Sequence, residues 1–387
     1  MDRRLSDLAK MFSKIPKEQE SALERVAKLV SALSKEAQFA VKTNRAKVTL
    51  KDIAVGSCAV KMPFVESLTK HSDEVDDINA WNLQLKRAAE EELFDNVSDN
   101  AEKYLLEVIA PNIKGLDDVR KAASWLLFAD DPVHLLLLGD PGTGKTQVLQ
   151  AVSRIAPISS FGLGSGSSKA GLTVAASGNE VLKGLLPLAD GGVCCVDELN
   201  LMKREDRAGL LSAMESGVVI YDKAGKHLEL PAEVSVFASA NPKGDRFVGN
   251  GVEVLKQQIP FDPALVSRFH IVFLVRRPDA KDFADIAKGI VSGVKKPDTV
   301  LAKEYVKRTQ SISVAFPKDL EPVIVDAVER FRRDESKFLL DVTPRLVVGV
   351  VRLAKARARL HMRETVTQED VKSVIKVVEK SLYVRER

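Results

Sequence analysis

The residues best suited to chemistry lie in one short segment, 139–146, which reads Gly-Asp-Pro-Gly-Thr-Gly-Lys-Thr. It matches the phosphate-binding pattern GxxxxGK[ST] at every fixed position. In this pattern the glycines let backbone N–H groups approach a β-phosphate, the lysine (Lys145) reaches the β- and γ-phosphates, and the Thr146 hydroxyl can ligate Mg²⁺. The alternative is an ordinary Gly-rich turn, which would not need the Lys-Thr pair. The segment therefore predicts a site for a nucleoside triphosphate and magnesium.

The second candidate is the acidic pair Asp197-Glu198, which directly follows the apolar run Val-Cys-Cys-Val at 193–196. Asp197 lies 52 residues after Lys145, which suits another strand of the same parallel sheet. At the carboxyl end of such a strand, Asp197 would hold the Mg²⁺ shell and Glu198 would polarise the attacking water as a general base. A surface acidic pair that caps the next helix is the alternative.

Three more candidates follow along the chain. Asn241 ends the apolar run 234–240, where its amide could orient the water or touch the γ-phosphate; a plain Asn-Pro turn is the alternative. Arg268 precedes the apolar run 270–275 and is either structural or aimed at the nucleotide of a neighbouring subunit. The segment 223–226, Lys-Ala-Gly-Lys, lies between strand-like halves and predicts a β-hairpin with a basic tip, or simply with solvated lysines.

An α/β fold is needed to bring these residues together. Four leucines at 135–138 predict a buried strand that ends at the phosphate loop. Apolar residues at helical spacing over 148–155 predict a helix that presents its N-terminal dipole to the phosphates. The segment 171–192 is rich in turn residues, and the run 193–196 follows it. Because strands that alternate with helices form βαβ units, these runs predict one parallel sheet.

The rest of the chain favours helices. Residues 1–100 show charged helical periodicity, although the β-branched residues of 47–63 favour a strand pair. Segments 203–217 and 344–362 predict further helices, and Thr367 with the acids behind it predicts a capped helix start. We therefore predict three domains: a small, mainly helical N-terminal domain (1–100), an α/β P-loop NTPase core (101–278) and an all-helical C-terminal lid (279–387).

Charge and cysteine content narrow the class of protein. The chain has 58 Lys and Arg against 54 Asp and Glu, and this net charge of +4 neither indicates nor excludes a nucleic-acid partner. Cys58, Cys194 and Cys195 form no CxxC pair, so no zinc site is predicted. The adjacent pair is expected to fill the core in a reducing compartment. With no apolar run of about 18 residues and no signal-like N-terminus, a cytoplasmic protein without a membrane segment is predicted.

Taken together, the motifs resemble those of the AAA+ ATPases, and in detail those of the minichromosome maintenance (MCM) replicative helicases. A generic P-loop ATPase would lack the DGGVCC strand, the KAG hairpin and the Ala-Asn-Pro stretch that runs on to Arg246-Phe247. The resemblance covers roughly residues 102–387. The matching stretches are 139–147, 167–173, 188–202, 206–226, 238–247, 263–273 and 342–371.

The resemblance implies a role for each matching residue. Lys145 and Thr146 resemble the Walker A pair, Asp197 and Glu198 the Walker B pair, and Asn241 the sensor 1 residue. Arg268 resembles an arginine finger that reaches the next subunit's site, and Arg345 resembles the sensor 2 arginine. Lys223, with Lys226, resembles the hairpin lysines that contact the phosphate backbone of single-stranded DNA. The ATP-binding residues implied are Gly139, Asp140, Pro141, Gly142, Thr143, Gly144, Lys145, Thr146 and Gln147.

The function implied is that of an ATP-dependent DNA helicase or translocase in DNA replication, built as a ring, usually a hexamer, of this chain or with other MCM subunits. An archaeal source would place it at the nucleoid. The chain departs from the family pattern at His270 (Asp in the family), at Asp245 (Gly) and at Asn200 (Asp). The loop 173–188 is shorter than the family's hairpin, and the N-terminal region is shorter than the family's.

These departures motivate two alternatives. The first is a degenerate or regulatory homologue, monomeric, that binds nucleotide or a partner MCM without unwinding DNA, so that ATP hydrolysis is weak or lost. The second is a magnesium-chelatase-like AAA+ motor with a non-DNA substrate. It shares the hairpin layout, but the KAG tip and the DGGVCC strand argue against it.

Overall fold

The computed structural model describes Phe94 and residues 97–113, 115–177, 180–223, 226–249, 251–277 and 299–383. The chain divides into two compact units, Met1–Asp99 and Asn100–Arg387. Almost all of the described residues belong to the second unit. The predicted helices of residues 1–93, the strand pair at 47–63 and the start of the helical segment at 278–298 lie outside the described residues. The division at 100 and 278 therefore stays a prediction.

The second unit alternates helices and strands over its first two thirds and is helical in its last third. Its described helices and strands are, in chain order, α1 (Ala101–Val108), α2 (Asp117–Leu126), β1 (Leu135–Gly139), α3 (Lys145–Ile155), β2 (Ser159–Leu163), α4 (Lys169–Leu172), β3 (Val174–Ser177), β4 (Glu180–Lys183), α5 (Leu185–Leu188), β5 (Val193–Asp197), α6 (Arg207–Ser216), β6 (Val218–Lys223), β7 (Lys226–Pro231), β8 (Ser235–Ala240), α7 (Val252–Gln257), α8 (Pro263–Val266), β9 (Ile271–Val275), α9 (Thr299–Thr309), α10 (Glu321–Arg333), α11 (Pro344–Leu360) and α12 (Gln368–Leu382).

The predicted parallel sheet is confirmed. Its five strands lie in the order β2-β5-β8-β1-β9, and every neighbouring pair is parallel. Strands β1, β5 and β8 are buried along their whole length, as expected for continuous apolar runs covered on both faces. Helix α3 packs against β2, β5 and β8 through the predicted apolar positions. All five strands therefore end at one carboxyl edge.

The structure adds strands that the sequence did not predict. β2 (Ser159–Leu163) forms the edge of the sheet through backbone pairing with β5, although its Ser-Ser-Phe-Gly-Leu sequence lacks an apolar run. β3 and β4 form an antiparallel hairpin inside the segment that we predicted as turns. The helix predicted over 203–217 begins only at Arg207, because residues 204–206 form a turn instead of the first helical turn.

The C-terminal helices confirm the predicted lid. α11 and α12 pack against each other and against α2, and α12 also contacts β9. Thr367 caps α12 in a capping box with Asp370, as predicted. Asp370 also accepts a hydrogen bond of 2.6 Å from the buried guanidinium of Arg357, so a buried charge pair joins the two helices. Within the described part of the chain, no helix has the length and apolar character needed to cross a membrane.

Candidate nucleotide site

The phosphate loop lies between the end of β1 and the start of α3. Gly142 and Gly144 have φ of +76° and +87°, in the left-handed region that glycine enters without strain. A Cβ on Gly139 would lie 2.0 Å from the Val275 carbonyl oxygen, so only glycine allows β1 to end this close to β9. Thr146 and the neighbouring Gln147 are exposed in the first turn of α3. The loop thus has the conformation that phosphate binding requires.

Lys145 is held inside this loop. Its ammonium donates to the carbonyl oxygens of Gly139 and Asp140, both at 2.7 Å, and to Asn241 Oδ1 at 3.0 Å. Burial lowers the pKa of Lys145 to about 8, although the charges of Asp140, Asp197 and Glu198 act to raise it. A buried ammonium that lacks a full counter-charge is well suited to bind a phosphate anion.

The acidic pair lies at the end of β5. Asp197 is buried, and its Oδ1 accepts hydrogen bonds from the Ser239 hydroxyl and, at 3.1 Å, from the Glu198 N–H. Glu198 has φ of +53°, a strained conformation for a non-glycine residue, and Ser239 Oγ also accepts from its N–H at 3.1 Å. A Cβ on Gly164 would lie 2.2 Å from the Glu198 carbonyl oxygen. Three neighbouring segments therefore hold Glu198 in this conformation.

Strand β8 lies between β1 and β5 and brings the two halves of the site together. Two strand spacings separate the ends of β1 and β5, or about 10 Å, and Asn241, at the end of β8, lies between them. Asn241 reaches Lys145, and its own N–H donates to Asn200 Oδ1 at 2.9 Å. Asn200 and Ser239 thus connect β5 to β8.

The residues at this edge fit a magnesium ion. The hydrogen bonds to the Asp197 carboxylate end on Oδ1, which leaves Oδ2 as an oxygen ligand for a hard cation or its water. The exposed Thr146 hydroxyl provides a second oxygen at the start of α3. Among the described residues, no group of three or more His, Cys, Asp or Glu side chains is arranged to hold a metal ion. Mg²⁺ is commonly held by one or two protein oxygens together with substrate phosphates and waters, and Asp197 and Thr146 are a protein contribution of that size.

Arg268 and Arg345 lie away from this edge. Arg268 precedes β9, whose five residues run in register with β1 toward the phosphate loop, so about 13 Å of strand separates Arg268 from the carboxyl edge. Arg345 donates to the Arg268 carbonyl oxygen at 3.1 Å. Burial, and then the charge of Arg268, lower the pKa of Arg345. Arg268 itself pairs with Glu215 at 2.6 Å. The structure therefore does not bring the two arginines to the phosphate loop of their own chain.

The basic hairpin forms a separate two-stranded sheet. Strands β6 and β7 pair antiparallel, and Lys223 pairs with Lys226 in the backbone register at its end. The structure describes only the backbone of these two lysines, and residues 224–225 lie outside the described residues. On the same hairpin, Val219 is buried while Ile220 is 51% exposed. The hairpin therefore has one face on the core and one face toward solvent.

His270, which stands where the family has Asp, is buried and packs against other parts of the protein. Its Nδ1 accepts from the His134 N–H at 2.9 Å, and a Cβ on Gly349 of α11 would lie 2.8 Å from its Cβ. Burial, followed by the charges of His134, Arg352 and Arg345, lowers the pKa of His270 to about 2. The ring is therefore neutral and packs between β1 and the lid, at the amino edge opposite the phosphate loop.

Comparisons with known proteins show the family of the chain. Residues 90–294 match the family model described as "MCM P-loop domain", and residues 300–382 match the one described as "MCM AAA-lid domain". "DNA replication licensing factor mcm7-B" of Xenopus laevis is 31% identical over 350 residues, which are 82% of this chain and 48% of that protein.

Two further relatives cover similar stretches. "Minichromosome maintenance protein MCM" of Saccharolobus solfataricus is 30% identical over 301 residues, 71% of this chain and 44% of that protein. "DNA replication licensing factor MCM6" of Oryza sativa subsp. indica is 28% identical over 376 residues, 86% of this chain and 45% of that protein. The chain spans about half the length of the relatives that it matches.

Proposed function

The chain belongs to the MCM family, an ATPase and helicase family, and from this premise we propose that it is an ATP-hydrolysing DNA helicase or translocase subunit that acts in DNA replication. The observation that supports this most directly is the meeting of Lys145, Asn241 and the acidic pair at one edge of the sheet. The same edge carries a helix N-terminus and a glycine-rich loop, which suit a triphosphate.

In this proposal the chain's own residues divide the work of hydrolysis. Lys145 and the loop N–H groups hold the phosphates, while Thr146 and Asp197 hold the magnesium ion, which neutralises charge on the phosphates when it is bound. Glu198 takes the proton of the attacking water, and its left-handed backbone sets the direction in which the side chain leaves the end of β5. Asn241 contacts the γ-phosphate or orients that water from its position beside Lys145.

Completion of the site requires a second subunit. Arg268 and Arg345 lie at the amino edge, across the length of β9 from the phosphate loop of their own chain. This distance from their own phosphate loop supports a role for them at the nucleotide of a neighbour, and an arginine supplied in trans makes hydrolysis depend on assembly. The partner is another copy of this chain, in a hexameric ring, or another MCM subunit. In such a ring, Lys223 and Lys226 would contact the phosphate backbone of single-stranded DNA.

One observation favours the second candidate, a monomeric regulatory homologue without unwinding activity. In the single chain Arg268 is already paired with Glu215 at 2.6 Å. An arginine that stayed in this pair would not reach a neighbour's nucleotide. The two candidates differ in whether assembly frees Arg268.

A mixing experiment separates the candidates. K145A removes the phosphate ligand but keeps Arg268, whereas R268A keeps the phosphate site but lacks the arginine. We expect each variant alone to hydrolyse ATP poorly and an equimolar mixture to regain activity, because one interface then combines an intact phosphate site with an intact arginine. Activity should also rise with protein concentration and with a single-stranded oligonucleotide.

The opposite results would support the regulatory candidate. A mixture no more active than its components, with specific activity independent of concentration and DNA, contradicts the ring. Sedimentation with a non-hydrolysable ATP analogue provides the second measurement. A chain that stays monomeric under these conditions would also count against the ring. The cytoplasmic or nucleoid location, like the lack of a zinc site, stays a prediction.

A further inference from the structure

Asp140 of the phosphate loop uses both oxygens of its carboxylate within the protein. The side chain is buried, and Oδ1 accepts from the Phe247 N–H at 2.8 Å while Oδ2 accepts from the Arg277 N–H at 3.1 Å. A carboxylate that already receives a backbone N–H on each oxygen is directed at these two segments. This arrangement differs from the role in ATP binding that its place in the motif suggests.

The two donors belong to the segments that follow the neighbouring strands. Phe247 lies in the segment 241–249, which begins with Asn241 at the end of β8. Arg277 follows β9, and the adjacent Arg276 guanidinium donates to the Gly249 carbonyl oxygen at 2.8 Å. The segment 241–249 and the end of β9 are therefore joined to each other as well as to Asp140.

The backbone of Asp140 faces the other way, toward the phosphate site. Its carbonyl oxygen accepts from the Lys145 ammonium at 2.7 Å and from the Thr143 hydroxyl at 2.8 Å. Its N–H donates to the Val275 carbonyl oxygen at 3.0 Å. One residue thus connects the lysine that binds phosphate with the segment that carries Asn241.

We propose that Asp140 is a positioning residue for ATP hydrolysis, whose carboxylate holds the segment 241–249 and the end of β9 against the phosphate loop. This proposal rests on the proposed ATPase function. Asn200 fixes the start of that segment at Asn241, and Asp140 fixes it six residues later at Phe247. Without the second attachment the segment 241–249 is held by its start alone, so Asn241 is less tightly positioned, while the loop N–H groups and Lys145 still hold the phosphates.

Replacement of Asp140 by Asn tests this role with little change in size. An amide has one acceptor oxygen, so its NH₂ group would face either the Phe247 or the Arg277 N–H, and one of these donors would lose its partner. D245N is the matched control. Asp245 lies in the same segment, and the one hydrogen bond that it makes with the described residues is donated by its backbone N–H to the Pro242 carbonyl oxygen.

Two measurements separate positioning from nucleotide contact. At pH 7 we expect D140N to lower kcat at least about tenfold with a change in KM below about threefold. Amide hydrogen exchange without nucleotide should show the Phe247 and Arg277 N–H groups protected in the wild type and at least about tenfold less protected in D140N. D245N should match the wild type in both measurements.

A rise in KM of more than tenfold at pH 7 with unchanged kcat would overturn the proposal and assign Asp140 to ATP contact. Unprotected Phe247 and Arg277 amides in the wild type would overturn it even if D140N did not fold. An assembled wild type without ATP hydrolysis would refute the proposed function itself, whereas an active wild type with an equally active D140N refutes only this inference.

Discussion

The burial of the Lys145 ammonium should make the free energy of unfolding depend measurably on pH. Burial lowers the pKa of Lys145 from 10.5 to about 8 in the folded chain. Between these two values the unfolded chain keeps a proton that the folded chain has lost. The free energy of unfolding must therefore rise with pH through this window, because stability increases wherever the unfolded state binds more protons.

The size of the effect follows from the same two values. At about 1.4 kcal/mol for each pH unit, the difference between 10.5 and about 8 corresponds to about 3 kcal/mol. This contribution should develop between about pH 8 and pH 10.5 and should be absent from K145M, which has no proton to lose. Saturating Mg·ATP should reduce it, because bound phosphate favours the charged lysine.

The assay is urea unfolding at pH 7, 8, 9 and 10, followed by the fluorescence of Trp125, which is buried in α2. Trp81, the other tryptophan, is replaced by Phe in every variant. Other groups titrate in this range, so the quantity of interest is the wild-type free energy of unfolding minus that of K145M. K372M, which removes an exposed lysine of α12, is the control and should follow the wild type. Parallel pH profiles for wild type and K145M would refute the reasoning.

Three further perturbations test other parts of the structure. E215Q should change the free energy of unfolding by less than about 1 kcal/mol, because the pair of Glu215 with Arg268 is partly exposed. The same substitution should raise ATP hydrolysis at limiting protein concentration, because it releases Arg268. Unchanged hydrolysis would contradict this expectation. D370N should destabilise the protein by about 3 kcal/mol in urea unfolding, because it removes the fully buried carboxylate at 2.6 Å from Arg357 and leaves only the longer pairs with Glu369 at 3.3 Å and Glu102 at 3.7 Å. Burial acts to raise the pKa of Asp370 but Arg363 and Thr367 lower it to about 2, so this stabilisation should be lost as the pH falls from about 4 toward 2. Leu137→Ala should cost about 2–5 kcal/mol in the same assay, because Leu137 is fully buried in β1, and a loss below 1 kcal/mol would contradict that packing.

The chemistry of the site was predictable because it depends on short, contiguous patterns. The phosphate loop needs particular residue types at fixed spacing, and a strand before it and a helix after it can be read from local periodicity. The same holds for Asp197-Glu198 after an apolar run and for the Thr367 cap. The comparisons confirm the family that these motifs indicated.

The missed elements depend on distant partners. β2 is a strand because β5 provides a neighbour for its backbone, and nothing in Ser-Ser-Phe-Gly-Leu requires it. Ser239 and Asn200 orient Glu198 and Asn241, yet each looks ordinary in sequence. The available signals were weak: a second serine in the mostly apolar strand Ser235–Ala240, and an asparagine three residues after Asp197.

By itself, the sequence determined which residues can bind a triphosphate and a metal ion, because those requirements concern residue type and local spacing. Only the tertiary structure decided that β8 lies between β1 and β5, so that Asn241 meets Lys145, and that Arg268 and Arg345 lie at the opposite edge. Strand order results from backbone pairing between segments far apart in the chain, and the side chains of one strand do not specify which neighbour it takes. The strand order also brings Phe247 and Arg277 beside Asp140, so that its carboxylate joins the phosphate loop to the segments that follow β8 and β9.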